Sequence, residues 1–200
     1  LKLFNIVTVD TLPHQGTKQV DVNVSVIERW YIWPVPILEL SERNFTVWWE
    51  TRNLSKLTYG IDFTFFNVRG RNETLKILAR LGYNQQYGFS YSTPYLNRLQ
   101  TIGLAFGAGV DLNHEVSVET RDNKPVYLKD SSAYLKKIVY GYAELRLRPS
   151  YYASHIIRVT YNYYFFRDGV TGIGGFSLSD KSRQQFVSLS YFFRNDHRDA

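Results

Sequence analysis

Apolar and polar residues alternate along most of the chain with a period of two. Between residues 57 and 65 the odd positions are Leu, Tyr, Ile, Phe and Phe, with Thr, Gly, Asp and Thr between them. Because successive side chains of a strand point to opposite faces, this pattern predicts strands with one apolar face and one small or polar face. The same alternation recurs at 75–83, 87–95, 102–112, 157–165 and 187–193.

Eight long strands are predicted in the main part of the chain. We place them at 36–51, 57–67, 73–84, 86–95, 99–117, 134–148, 154–167 and 183–196. The fifth and seventh connections are the longest, whereas the second, fourth and sixth are short. Odd and even connections lie at opposite ends of an antiparallel sheet, so we expect both ends of this segment on the side of the short connections.

An alternating all-β chain can form a soluble sandwich or a membrane barrel. The predicted strands are about 10–15 residues long, whereas strands of globular proteins average about 5–6. Their polar faces are rich in Gly, Ser and Thr, as a crowded or hydrated barrel interior requires. Outer-membrane barrels also combine short periplasmic turns with longer extracellular loops. We therefore predict an all-β, antiparallel transmembrane β-barrel, with 118–133 and 168–182 outside the cell and 68–72 and 149–153 in the periplasm.

The first 30 residues follow a different pattern. Residues 3–10 and 20–27 are predicted as two short strands joined by a turn at 11–18, with valines on one face of the second strand. An isolated hairpin is marginally stable, so we expect it to be the end of a domain whose first part is missing. We place the boundary at 33–36, Trp-Pro-Val-Pro, because two prolines should interrupt a continuous ladder.

Composition narrows the possible functions. The chain has no cysteine, which excludes disulfides and thiolate sites, and it has no methionine, so we expect a piece of a longer protein. Its net charge is +6, but the Lys and Arg residues are scattered, and no basic helix or stripe predicts nucleic-acid binding. No apolar run reaches the roughly 18 residues of a transmembrane helix.

No candidate catalytic, cofactor-binding or metal site is found in the sequence. His14, His114, His155 and His197 are far apart and lack the spacing of metal ligands. The glycine-rich stretch 172–175 is followed by no lysine or helix, so it is better explained as a loop bend than as a phosphate loop. We expect a protein that is not an enzyme and has no cofactor.

Aromatic residues cluster near the predicted strand ends, where Trp and Tyr of a membrane protein lie at the water interface. The alternative is a soluble core, but adjacent aromatic residues cannot all point to one face of a strand. The predicted interface residues are Trp30, Tyr31, Trp33, Trp48, Trp49, Tyr151 and Tyr152.

Several stretches resemble one known family. Residues 28–36, 42–49 and the pair Tyr59-Gly60 resemble the junction between the last POTRA domain and the barrel of BamA/TamA-like outer-membrane proteins. Residues 67–72 resemble the family's Asn-x-x-Gly turn between barrel strands two and three. The stretches Gly82-Tyr83 and 92–96, Ser-Thr-Pro-Tyr-Leu, resemble the end of strand three and the Pro-Tyr of strand four.

The resemblance implies two domains. Residues 1–33 would be the C-terminal part of a POTRA domain, and residues 34–200 would be the N-terminal half of a sixteen-strand barrel. The family's sixth-loop Arg-Gly-Phe motif and its C-terminal aromatic-ended strand are absent from the sequence, which fits half a barrel.

The resemblance also implies a function in the bacterial outer membrane, namely the assembly and insertion of other barrel proteins by strand pairing at a lateral gate. The implied partners are outer-membrane lipids, lipopolysaccharide, unfolded outer-membrane proteins and accessory lipoproteins. Two alternatives remain open: a protein-secretion pore of the same superfamily and a stand-alone eight-stranded barrel. The gate strand would contain Ile37, Leu38, Glu39, Leu40, Ser41 and Asn44.

Overall fold

Antiparallel β-structure makes up nearly all of the chain. The computed structural model describes residues 3–13, 16, 19–40, 49, 54–171 and 181–197. The strands are β1 (Phe4–Pro13), β2 (Val20–Glu28), β3 (Ile32–Leu40), β4 (Leu57–Phe66), β5 (Thr74–Gly82), β6 (Gln85–Thr93), β7 (Ile102–Asn113), β8 (Glu115–Arg121), β9 (Lys124–Lys129), β10 (Lys136–Leu147), β11 (Ala153–Phe166) and β12 (Arg183–Asn195). A 3-10 turn at Leu54–Lys56 precedes β4, and a short helix, α1 (Asp168–Thr171), follows β11. No helix in the described ranges is long and apolar enough to cross a membrane.

Eight of these strands form one sheet in the order β12-β11-β10-β7-β6-β5-β4-β3. Every neighbouring pair is antiparallel, which confirms the predicted all-β antiparallel fold class. The second to eighth predicted strands all exist, and their observed ends shift by a few residues. In the described part of the chain β3 and β12 lie at opposite edges of the sheet and do not pair, so the sheet is open.

The first strand begins earlier than predicted. The strand predicted at 36–51 starts at Ile32, and its ladder with β4 continues through both prolines, so the expected interruption at 33–36 is wrong. The backbone oxygen of Tyr31 accepts a hydrogen bond from Phe66 N at 2.8 Å. The backbone N–H and C=O groups of odd-numbered residues of β3 therefore point to β4, and those of even-numbered residues point to the open edge of the sheet. Pro34 and Pro36 therefore lack donors only on the unpaired side, where an edge strand tolerates proline. Residues 41–48 of the prediction lie outside the described residues.

The fifth strand ends earlier than predicted. It was expected to reach residue 117, but β7 ends at Asn113, and the chain then forms a separate two-stranded sheet from β8 and β9. The turn of this hairpin is Asp122-Asn123, whose φ angles are 51° and 58°. Two positive φ angles are typical of the type I′ turn that fits the twist of a two-residue hairpin. The predicted loop 118–133 is therefore largely a β-ribbon.

The N-terminal hairpin is present as predicted. β1 and β2 pair antiparallel over their full length in a sheet of their own, and the strands extend to Pro13 and from Val20. The valines Val20, Val22, Val24 and Val26 are exposed. The division of the chain into domains at residues 33 and 34 remains a prediction.

The eight-stranded sheet has two chemically different faces. Directly paired residues of an antiparallel sheet share a face, so the register traces each face from strand to strand. One row, for example, runs Tyr91, Phe106, Ala143, Val159, Leu189 across five strands. We call this side the apolar face and the other side the polar face. The charged residues of the polar face are Glu39, Asp62, Lys76, Arg80, Asp111, Lys136, Glu144, Arg146, Arg158 and Arg194.

Candidate functional site

In the six central strands the apolar face is the more exposed side of the sheet, whereas the edge strands β3 and β12 expose residues of both faces. Phe106 is 41% exposed, Tyr59 50% and Leu189 73%. On the polar face Thr58, Ala105 and Glu144 are almost completely buried. A soluble protein places its apolar residues on the shielded side, so this distribution is inverted. As the alternation at 102–112 predicts, Leu104, Phe106 and Val110 share the apolar face, whereas Gly103, Gly107 and Asp111 share the polar face.

Tyrosine rings fill the polar face above glycines. Tyr140 and Tyr142 of β10 pair in register with Gly109 and Gly107 of β7. A Cβ built on Gly109 would lie 2.5 Å from Tyr140 Oη and 2.6 Å from its Cζ, so the ring occupies the space that a larger residue would need. The absence of a side chain on β7 thus allows the tyrosines of β10 to lie flat across the sheet.

A buried carboxylate organises the centre of the polar face. Glu144, which is 2% exposed, accepts hydrogen bonds from Arg146 on its own strand and from Arg158 on β11. Arg158 Nε also donates to Glu144 Oε2 at 2.7 Å, and its guanidinium lies 4.9 Å from the centre of the Tyr142 ring. A carboxylate buried this deeply must be paired, because an isolated buried charge is costly. The network therefore ties β10 to β11.

The gate residues predicted from the resemblance lie on the edge strand. Ile37, Leu38, Glu39 and Leu40 form the end of β3 that carries no proline, whereas Ser41 and Asn44 lie outside the described residues. Leu38 and Leu40 direct their backbone N–H groups to the open edge, by the alternation set at Tyr31. In the described strand this end therefore offers donors to a further strand, while the proline end lacks them.

Among the described side chains, one ion pair links the gate strand to a strand beyond β4. Glu39 pairs with Arg80 of β5 at 3.3 Å across the polar face, and both side chains are partly exposed. Exposed ion pairs add only about 0–1 kcal/mol. The backbone ladder with β4 is therefore the main attachment of β3.

A small apolar cluster holds the β8–β9 ribbon at one end of the sheet. Val116 of β8, Leu135, Phe166 and Val170 of α1 are buried together, and Leu128 of β9 packs against them. The cluster joins the fifth and seventh connections, which are the two longest by prediction. The described parts of these connections, 114–135 and 167–171, form one packed cap.

His114 marks the point where the ribbon leaves β7. Its ring lies 4.4 Å from that of Tyr134 and 5.3 Å from that of Tyr83, and Nδ1 lies 2.8 Å from Asp130 O and 2.9 Å from Ala133 O. An Nδ1–H group here donates to both carbonyls. Hydrogen bonds from Ser132 lower the pKa of Asp130 in the same loop. His114 is thus a structural contact of the cap.

The β4–β5 turn carries a charged anchor. The family-like turn 67–72 has positive φ at Asn67, Gly70 and Asn72, and Asn72 N donates to Asn67 Oδ1 at 2.8 Å. Arg69 forms a bidentate pair with the fully buried Glu73 at 2.8 and 2.7 Å and donates to Tyr91 Oη at 3.0 Å. This guanidinium holds the pKa of Glu73 below its usual range, against the opposing effect of burial.

Most of the predicted interface aromatics that are described lie at one end of the sheet. Trp30, Tyr31 and Trp33 lie where β3 begins, and Tyr151 and Tyr152 lie in the β10–β11 connection at that same end. Trp33 shares the polar face with Thr64, and its Nε1 donates to Trp30 O at 2.8 Å. Trp49 is exposed in the connection between β3 and β4, at the other end of the sheet, and Trp48 lies outside the described residues. Their role at a membrane interface remains a prediction.

The histidines are not brought together into one site. His155 lies on the apolar face with Nδ1 2.7 Å from Tyr191 Oη, and His197 stacks on Tyr152 at 4.3 Å. His14 and the stretch 172–175 lie outside the described residues. The described residues contain no group of three or more His, Cys, Asp or Glu arranged to hold a metal.

Sequence reasoning missed the Glu144 network. A usable signal was present, because Glu144 and Arg146 stand two residues apart on the polar side of a strand that is otherwise apolar and aromatic from Ile138 onwards. Two like-facing opposite charges at that spacing suggest an ion pair on a shielded face. The third member, Arg158, is identified only by the pairing of β10 with β11.

Comparison with known proteins finds likenesses among solved structures. No protein-family model and no curated protein matches the chain. Among solved structures, the chain is similar to the crystal structure of BamA from Haemophilus ducreyi lacking POTRA domains 1-3, with 16% identity and a TM-score of 0.49. The match covers 99% of this chain and 36% of that chain, so this chain spans about a third of the BamA structure.

Proposed function

We propose that this chain is part of a bacterial outer-membrane β-barrel that assembles other barrel proteins, with the edge strand β3 as its gate. The observation that carries the membrane placement is the inverted distribution of the two faces. An apolar face continuous over eight strands would be costly in water and is favourable in lipid. The shielded polar face then lines a hydrated interior.

The gate proposal is supported by the free edge of β3. A further strand can pair there by β-augmentation, in which backbone hydrogen bonds supply the affinity. Donors are available at Leu38 and Leu40, whereas Pro34 and Pro36 supply none on that side. Each ladder bond adds only about 0.5–1.5 kcal/mol net, so a ladder lacking two bonds opens more easily. Backbone exchange of this kind needs no catalytic side chain.

A disulfide tests the gate. In the full-length protein, Leu40→Cys is paired with a cysteine at the facing position of the final barrel strand. We expect the oxidised protein to stop assembling outer-membrane proteins in cells, because the locked edge cannot accept an incoming strand. Reduction should restore assembly, which is measured as the amount of folded barrel protein in the outer membrane.

The matched control locks the other side of the same strand. Leu40 and Leu57 are directly paired in a non-hydrogen-bonded position, where Cα atoms lie about 4.5 Å apart, within the range of a disulfide. The Leu40→Cys/Leu57→Cys protein should assemble barrels normally, since its open edge is unchanged. Normal assembly by the gate-locked protein would disprove the gate. Loss of one secreted protein, with normal barrel assembly in cells lacking this protein, would instead support the secretion pore.

A further inference from the structure

The strands place two charged residues on the apolar face, and both are cations. Among the residues that the eight described strands direct to this face, the formally charged ones are Lys137 of β10 and Arg183 of β12. The polar face carries ten charged residues of both signs. Charge is costly on a lipid-facing surface, so two cations there require an explanation.

The two cations lie in one row. Lys137 is paired with Phe165 of β11, and Phe165 is paired with Arg183, so one aromatic residue separates them. Neighbouring strands are about 4.8 Å apart, so the two backbones are separated by about 10 Å. The row adjoins the connections 114–135 and 167–182, which are the long connections that the proposed topology places outside the cell.

These cations differ from the arginines of the polar face in having no described counter-ion. Arg80, Arg146 and Arg158 are each paired with a glutamate. Lys137 and Arg183 are exposed and form no ion pair with a described residue. Their charges are therefore available to an anion outside the sheet. This anion would lie at the end of the apolar face that adjoins the cap.

We propose that Lys137 and Arg183 bind the phosphates of a bis-phosphorylated glycolipid headgroup, that of lipopolysaccharide, in the outer leaflet. The inference deepens the proposed function and rests on its membrane placement. Lys and Arg at a membrane boundary attract anionic headgroups. Two cations whose backbones lie about 10 Å apart, on either side of an aromatic residue, suit two separated phosphates, whereas a single phosphate would require both side chains to converge. Phe165 then packs against the sugar or the first acyl carbons.

Titration of the full-length protein with bis-phosphorylated lipid A tests the site. The protein is kept in detergent micelles, and bound lipid is counted by native mass spectrometry. We expect the K137Q/R183Q variant to lose about twenty-five-fold in affinity at low salt, from roughly a fivefold effect of each cation. Lipid A without its phosphates should bind the unaltered protein as weakly as intact lipid A binds the K137Q/R183Q variant.

The matched control removes the same charge from the other face. K76Q/K136Q changes two polar-face lysines and should retain lipid A binding. The conservative K137R/R183K variant should also retain it, which keeps the test informative if K137Q/R183Q folds poorly. Unchanged binding by folded K137Q/R183Q would overturn the proposal. Equal competition by phosphatidylglycerol or by inorganic phosphate would overturn the assignment to a glycolipid.

The assay separates this inference from the assembly function. Lipid A binding is measured on purified protein, so it does not depend on whether the protein assembles barrels. Failure of the gate disulfide to block assembly would therefore leave the lipid site intact. Loss of lipid A binding with normal assembly would show that the gate does not require this site.

Discussion

At the scale of single residues, the surroundings of a side chain are set by the face it occupies. Phe106 is exposed near the middle of β7, while its neighbours Ala105 and Gly107 are buried on the opposite face. A weaker contrast separates the exposed Leu189 from the half-buried Ser188 on β12. The proposed membrane placement therefore makes adjacent residues of one strand respond differently to an added charge.

Substitution of Phe106 by arginine tests the placement in lipid. An arginine on the lipid face near the bilayer midplane costs about 2–4 kcal/mol. We expect Phe106→Arg to lower the free energy of unfolding by that amount in urea titrations of the full-length protein in lipid bilayers. Ser188→Arg is the control, because Ser188 lies on the polar face one row away. Equal costs for both substitutions would contradict a lipid-facing surface.

At the scale of elements, the side chains of neighbouring strands complement one another in size and in charge. β10 contributes the tyrosines and β7 the glycines of the polar face, and Glu144 of β10 meets Arg158 of β11. β3 lacks comparable packing and depends on its ladder with β4. The central strands therefore form a firm body beside a weaker edge.

The fit of β10 on β7 is tested at Gly109. In Gly109→Ala the new methyl group would overlap the Tyr140 ring, and overpacking of this kind costs about 1–3 kcal/mol. Gly141→Ala is the control, since its Cβ would lie 3.7 Å from the nearest atom, an ordinary contact. In a Tyr140→Ala background the Gly109→Ala cost should largely disappear, as measured by a double-mutant cycle. A cost that persists there would exclude the ring as its cause.

At the scale of the whole molecule, the sheet has two unlike ends. The connections 67–73, 94–101 and 148–152 lie at one end, together with the start of β3 and the end of β12. The β8–β9 ribbon and α1 are packed into the cap at the other end. This asymmetry sets the orientation that the proposed function requires.

Cysteine labelling on intact cells tests that orientation. Asn123 lies at the tip of the β8–β9 ribbon and Arg71 lies in the β4–β5 turn at the opposite end. A cysteine replacing Asn123 should react with a membrane-impermeant maleimide, and a cysteine replacing Arg71 should react only after the outer membrane is opened. The reverse pattern would invert the topology.

The sequence by itself determined the local features of this protein. Period-two alternation identified seven of the eight sheet strands closely and assigned Leu104 and Gly103 to opposite faces, because side-chain direction in a strand depends only on the position along it. The prediction for β3 was wrong at Pro34 and Pro36, since proline interrupts a ladder only on the side that its nitrogen faces. No local pattern reveals which side that is.

Only the tertiary structure decided which distant residues meet. Register depends on pairing between strands that are far apart in sequence, and a shift of one residue would exchange the two faces. The row of Lys137, Phe165 and Arg183 and the pairing of Glu144 with Arg158 both follow from that register. The ribbon β8–β9 was likewise missed, because its alternation continues that of β7. The break lies at His114, whose ring packs against Tyr83 and Tyr134.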